Sequence, residues 1–249
     1  MLSSPACHAA ARELTMEFHN QVVMITGAAG NLGRAVTTAF AAAGATLVLV
    51  DINQQVLRAT HDKERENRML LAADLLDTAS VSVAVEAASA RLGPIHVLCN
   101  IAGGFRMGPA VHETPDNLWQ LMMDLNVGSI LNTARAVVPG MLSAGSGRIV
   151  NVAATAALSG RAYMGAYSAS KSAVIRLTES MAAELREQGI NVNCVMPSII
   201  DTPQNRTDMP LADPARWVSP NALADVILFL ASDRARAIHG AAIPVVGLS

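Results

Sequence analysis

The chain has 249 residues, with 18 Lys and Arg against 20 Asp and Glu for a formal net charge of -2, and 51% of its residues are hydrophobic. So high an apolar share, with only 15% charged residues, excludes a disordered chain, and the charge balance argues against a basic nucleic-acid binder. No apolar run reaches the roughly 18 residues of a membrane span, and Cys7, Cys99 and Cys194 share no CxxC spacing from which a disulfide framework or zinc site could be built. A cytoplasmic protein without nucleic-acid or membrane partners is expected, of a size that suits one large α/β domain.

The first residues, 1–15, lack the basic start and long apolar stretch of a secretory signal and read as a loose extension ahead of a domain spanning 16–249. Short β-branched runs then occur at 22–26, 46–50, 69–73, 95–99, 148–152, 191–195 and 242–246. Alanine-rich helical patterns fill the gaps at 31–43, 78–92, 114–143, 165–188 and 219–231. Continuous apolar strands separated by helices predict a parallel sheet covered on both faces, here a single doubly wound α/β sheet of about seven strands. A sheet of this kind binds its ligand beyond the carboxyl ends of the strands, where the strand order reverses. The segments 145–147 and 205–214 read as the loosest, the second where a substrate lid could sit.

After the first strand comes Thr26-Gly27-Ala28-Ala29-Gly30-Asn31-Leu32-Gly33. Small residues let the backbone turn sharply, so that amide groups and a helix N-terminus face a pyrophosphate; the plain alternative is a tight turn without a ligand. Asp51 ends the second strand and reads either as a plain strand-end or turn residue or as a ribose ligand. A carboxylate there accepts both hydroxyls of an adenosine ribose and repels a 2′-phosphate. Neither Ile52 nor Asn53 offers a cation, so NAD is favoured over NADP, with Arg34 the nearby candidate for a phosphate clamp.

Tyr167-Ser168-Ala169-Ser170-Lys171 sets a phenol and an ammonium at i and i+4, on one helical face. Only two tyrosines (Tyr163, Tyr167) and two lysines (Lys63, Lys171) occur in the chain, so a chance pair at this spacing is rare. A nearby cation favours phenolate, and Tyr167 is therefore expected below the usual tyrosine pKa of about 10, ready to pass a proton while hydride moves elsewhere. A surface Tyr–Lys pair is the structural alternative. The six histidines are dispersed without HxH or HExxH spacing, so no metal site is expected and each reads as packing.

These segments together resemble the short-chain dehydrogenase/reductase superfamily, from about Gln21 to Val246. The turn is similar to the family's TGxxxGxG, with Asn31 at the middle glycine; asparagine tolerates positive φ better than most residues. Asp74-Leu75 resembles the pair that meets adenine, and Asn100-Ile101-Ala102-Gly103 the NNAG turn after the fourth strand. Asn126 matches the helix asparagine that completes a proton relay through water to Lys171. Pro197-Ser198-Ile199-Ile200-Asp201-Thr202 resembles PGxIxT, with Thr202 near the nicotinamide amide. The resemblance thus implies a Rossmann-type fold, an NAD-linked oxidoreductase with Tyr167, Lys171 and Asn126 as catalytic residues, a small-molecule substrate and a homodimer or homotetramer. The cofactor contacts it implies are Gly27, Asn31, Leu32, Gly33, Asp51, Asp74, Leu75, Asn100, Ala102, Gly103, Tyr167, Lys171, Pro197, Ile200 and Thr202.

One position departs from the pattern with a chemical consequence. The family's catalytic serine stands thirteen residues before the tyrosine, where this chain has Ala154. Ala154 cannot donate a hydrogen bond to a substrate oxygen, a loss that typically costs roughly 10²–10³ in rate. Dihydropteridine reductases, a subgroup of the superfamily, also carry alanine there, and Ala102-Gly103-Gly104-Phe105 and the stretch from Asp201 to Trp217 resemble theirs. That local resemblance implies a quinonoid dihydropterin-like ring as substrate, with Phe105 or Trp217 as a stacking face or as core and lid packing. The alternatives are an ordinary ketone, secondary alcohol or 3-oxoacyl thioester, and, in another class, a dinucleotide-binding sensor without turnover.

Overall fold

The computed structural model describes residues 17–61 and 64–249; the expected N-terminal extension lies outside the described residues. Seven strands form one parallel sheet: β1 (Val22–Thr26), β2 (Thr46–Asp51), β3 (Arg68–Ala72), β4 (Val97–Asn100), β5 (Gly147–Val152), β6 (Ile190–Pro197) and β7 (Ala242–Val245). Their order is β3-β2-β1-β4-β5-β6-β7, so the order reverses between β1 and β4. Val23 of β1 pairs with Leu47 on one side and Val97 on the other.

The intervening helices are α1 (Asn31–Ala42), α2 (Gln54–His61), α3 (Thr78–Leu92), α4 (Asp116–Met123), α5 (Ser129–Ala144), α6 (Gly165–Leu185), α7 (Pro203–Asp208) and α8 (Pro220–Ala231). Burial on both faces explains the unbroken apolar runs in the strands. On one face Val36 and Phe40 of α1 and Leu223 and Ile227 of α8 pack on Val23, Ile25 and Leu49. On the other, Val81 of α3, Val137 and Met141 of α5 and Met181 of α6 pack on Met24, Val48 and Leu98.

The expected fold is the observed one: a doubly wound, Rossmann-type α/β sheet with helices on both faces. Two short helices, α2 and α7, were not expected, and the helix expected over 114–143 divides at a π-helical segment, Asp124–Gly128. Half of the segment read as loosest at 205–214 belongs to α7 and the turn after it, and Gly147 opens β5. Among the described residues, no helix is long and apolar enough to cross a membrane.

Candidate active site

At the carboxyl end of β1 the chain enters α1 through Gly27, whose φ of +63° favours a residue without Cβ. A Cβ there would also lie 2.9 Å from Ala102 Cα, because the turn after β4 packs directly beneath. At Gly33 a Cβ would collide with the Gly27 carbonyl. The two glycines thus let three backbone segments close on one another. Gly30 caps α1 without a side-chain hydrogen bond, so the first-turn amides of Asn31, Leu32 and Gly33 have no side-chain acceptor. Thr26 Oγ1 accepts from the amides of Ile101 and Ala102 at 3.1 and 3.2 Å, joining the first and fourth strand ends.

Asp51 is half-buried at the end of β2, and its carboxylate accepts from the amides of Ala29 (3.0 Å) and Ile52 (2.9 Å). Asp74 and Leu75 follow β3; Asp74 is exposed and accepts from the Leu76 amide, while the Leu75 carbonyl accepts from Asn132. Both lie on the strand-end side that carries Asp51, since β2 and β3 are parallel neighbours.

Asn100 faces inward rather than toward a ligand. Its Nδ2 donates to Asn151 Oδ1 at 2.9 Å and its Oδ1 accepts from Thr133 Oγ1 at 2.8 Å, so its side chain ties β4 to β5 and α5. The turn behind it is held from the helix side. Asn126 Oδ1 accepts from the Gly104 amide at 2.9 Å, and its Nδ2 donates to the Gly104 carbonyl at 3.1 Å and to Ser170 Oγ at 3.0 Å. Asn126 sits in the π-helical segment and is 1% exposed.

Helix α6 brings Tyr167 and Lys171 to the same cluster. Lys171 Nζ donates to the Val152 carbonyl at 2.8 Å and reaches the edge of Gly103, where a Cβ would stand 3.3 Å from it. Ser170 Oγ donates to the Tyr167 carbonyl and accepts from Asn126, linking the two helical segments. The Phe105 ring meets Tyr167 edge-on, centroids 4.9 Å apart. Ala154 follows β5 and is buried, with Thr155 and Ala156 opening a 3₁₀ turn behind it.

The lysine does not dominate the tyrosine's acidity as the sequence led one to expect. Burial pushes the Tyr167 hydroxyl up to about 12, and burial lowers the Lys171 ammonium to about 8. Desolvation is the leading cause of both shifts, because burial disfavours the charged form of each group.

On the β6 side, Pro197 ends the strand. Ile200 bridges to Val218, and its carbonyl accepts from Asn205 Nδ2. Thr202 caps α7 by accepting from the Asn205 amide, ahead of Pro203. Arg206 grips Asp201 with two hydrogen bonds of 2.7 and 2.8 Å. Trp217 is buried, which is the packing role the sequence left open, whereas Phe105 is exposed and touches Tyr167.

Three residues escaped the sequence reading. Ser170 is the link between Asn126 and α6. Tyr163 has a φ of +64°, and its carbonyl accepts from the Gly108 amide at 2.8 Å, tying the loop before α6 to the loop after β4. His61, read from sequence as packing, reaches the Ala28 carbonyl. No group of three or more His, Cys, Asp or Glu that could hold a metal occurs among the described residues.

A glycine turn at the strand-order reversal, a strand-end acid beside it and a Tyr–Lys helix opposite define a Rossmann-type oxidoreductase. The family model for short chain dehydrogenase matches residues 21–210, and the chain belongs to the short-chain dehydrogenase/reductase family. It is similar to a D-threitol dehydrogenase of Mycolicibacterium smegmatis, 33% identical over 95% of this chain and 97% of the relative. A 2-(R)-hydroxypropyl-CoM dehydrogenase of Xanthobacter autotrophicus is 35% identical over 92% of this chain and 98% of its own. The crystal structure of a carveol dehydrogenase from Mycobacterium avium in complex with NAD superposes with a TM-score of 0.86 and 27% identity, covering 94% of this chain and 98% of that one. The chain is accordingly an enzyme of the dehydrogenase/reductase type.

Proposed function

We propose that the protein is an NAD(H)-dependent oxidoreductase that moves hydride to or from a small substrate through Tyr167, Lys171 and Asn126. The carrying observation is that Asn126 and Lys171 converge on the Gly103–Gly104 turn, with Ser170 linking Asn126 to α6 and Tyr167 of the same helix against Phe105. The residues present fit a dinucleotide. Gly27 and Gly33 clear a close backbone approach, the open N-terminus of α1 suits a pyrophosphate, and Asp51 suits two ribose hydroxyls. Asp51 and the NAD-bound carveol dehydrogenase support NAD over NADP.

Bound NAD(H) supplies or accepts the hydride. The Tyr167 hydroxyl gives a proton to the substrate atom that gains it, and recovers it in the reverse direction. With its pKa near 12, Tyr167 keeps its proton throughout the neutral range, which suits the reducing direction. The Lys171 ammonium supports the phenolate that forms as the proton leaves, and Asn126 holds the turn that would receive the nicotinamide ribose. For the rest of the dinucleotide, Asp74 and Leu75 would contact the adenine, Ala102 and Gly103 a ribose, and Pro197, Ile200 and Thr202 the nicotinamide. Asn100 acts in this scheme through its backbone and as a tie between strands. Exposed Trp119 and Leu121 on α4 support a homo-oligomer.

For the substrate, alanine at position 154, which offers no side-chain donor, and an exposed Phe105 ring against Tyr167 favour a planar ring such as a quinonoid dihydropterin, which takes hydride without a serine on a carbonyl oxygen. The names of the relatives favour a second reading, a ketone or secondary alcohol. Steady-state NADH oxidation with freshly generated quinonoid dihydropterin, against a panel of ketones and 3-oxoacyl thioesters, separates them, with Tyr167→Phe as control. Tyrosine-dependent turnover of the pterin alone supports the ring; turnover of ketones with an inert pterin rejects it. NADH binding without turnover of any substrate points to a sensor instead.

A further inference from the structure

His61 closes α2 and is one of the few buried ionisable side chains, 8% exposed. Its Nε2 lies 2.7 Å from the carbonyl oxygen of Ala28, in the middle of the glycine turn. A carbonyl oxygen only accepts, so Nε2 carries the hydrogen. Burial holds the ring below its ordinary pKa, and a neutral ring with hydrogen on Nε2 meets the geometry. Among the described residues, Arg34 on α1, Arg68 on β3 and Asp51 on β2 are the charges within electrostatic reach of that ring.

The Ala28 carbonyl and the Ala29 amide belong to one planar peptide unit. The amide end of that unit donates to Asp51 Oδ2 at 3.0 Å. One peptide plane is therefore gripped at both ends, by an imidazole from α2 and by the strand-end carboxylate from β2. If the imidazole let go, the plane could rotate about its flanking Cα atoms. Asp51 would then lose the amide that orients its carboxylate, and the amides farther along the turn would change direction. We infer that His61 is a positioning residue for the coenzyme, holding the Ala28–Ala29 peptide so that the turn amides face the pyrophosphate and Asp51 faces the adenosine ribose. No motif of the chain assigns it this part. The inference rests on the glycine turn being the dinucleotide cradle.

The test is fluorescence titration with NADH and, separately, NADPH, for the whole protein and for His61→Ala, His61→Gln and Leu57→Ala. Leu57 is fully buried on the same helix and contributes to the core without bonding the turn, so its truncation loosens α2 alone. His61→Ala is expected to weaken NADH binding about tenfold, with a smaller effect on NADPH, so that the preference between the two narrows. His61→Gln, which can still donate to the carbonyl, is expected to recover part of the loss, and Leu57→Ala to leave both affinities near wild type. Unchanged NADH binding in His61→Ala, or an equal loss in Leu57→Ala at matched melting temperatures, would overturn the inference. A wild-type protein that binds neither nucleotide would instead sink the cofactor reading, and the role of His61 with it.

Discussion

Asn126 and Gly104 exchange two hydrogen bonds, the glycine amide donating to Oδ1 at 2.9 Å and the carboxamide returning one to the glycine carbonyl at 3.1 Å. The same Nδ2 also donates to Ser170, so the turn after β4 and helix α6 share a single side chain. Truncation in Asn126→Ala removes the side-chain partner of the part-buried Gly104 amide and carbonyl and the tie to Ser170, and is expected to cost about 1–3 kcal/mol in urea unfolding. Misplacing the Tyr167 helix relative to the turn is expected to lower kcat about 10²-fold in the steady state. An Asn126→Ala enzyme that loses stability but keeps its kcat would reduce the residue to a structural tie.

Under the proposed function Ala154 stands where a serine donor would be expected, and placing a serine there discriminates between substrates. Ala154→Ser is expected to raise carbonyl reduction by about tenfold or more, since it supplies a preorganised donor to the developing oxyanion. Reduction of a quinonoid ring, which places no carbonyl oxygen at that point, is expected to change little. Comparing kcat/KM for both substrate types in the two proteins reads out the difference.

Asp51 holds two amides and is the acid proposed for the ribose. Asp51→Ala is expected to raise the Kd for NADH by about tenfold or more, as charge-assisted hydrogen bonds are lost. NADPH should gain relative to NADH because the repulsion of a 2′-phosphate disappears. Parallel titrations with the two nucleotides check this, and an unaltered ratio would remove Asp51 from cofactor selection.

Lys171 gives the fold a pH signature. Its pKa falls from 10.5 to about 8 on folding, so between those values the unfolded chain binds a proton that the folded protein does not. Stability is therefore expected to rise as pH climbs above about 8. Above pH 9 the buried thiols Cys99 and Cys194, both pushed up by burial, act in the opposite sense, because the folded protein then keeps protons that the unfolded chain releases. Urea unfolding at pH 7, 8 and 9 is expected to show the rise in the wild type and its absence in Lys171→Met.

The strands were legible because two buried faces impose unbroken apolar runs, and β1 was read to the residue. Strand β4 was misplaced by two residues at its start, since Asn100 is polar yet buried within the sheet and Ile95 is apolar yet precedes it. Helix α2 escaped because only Leu57 and His61 of its residues are buried, which leaves no apolar stripe to see. For α7 a signal was present, the Thr202 cap followed by Pro203. Within the site, Tyr167 and Lys171 stood out by spacing, but their acidities depend on burial, which spacing does not convey. His61 could not be found in this way, because its partner is a backbone carbonyl brought to it only by the tertiary fold.

Strand β1 lies between β2, its near neighbour in sequence, and β4, which follows two helical crossovers later. Pairing of that kind forms late, after the loop-closure entropy of the intervening chain has been met. Until it forms, Gly27 has no Ala102 beneath it, and the proposed nucleotide cradle lacks its floor. A nucleotide bound there therefore selects the finished sheet over every partly assembled one. By mass action each tenfold rise in a free dinucleotide above its Kd would then add about 1.4 kcal/mol to stability, so the lifetime of the enzyme in a cell would track the supply of its proposed coenzyme.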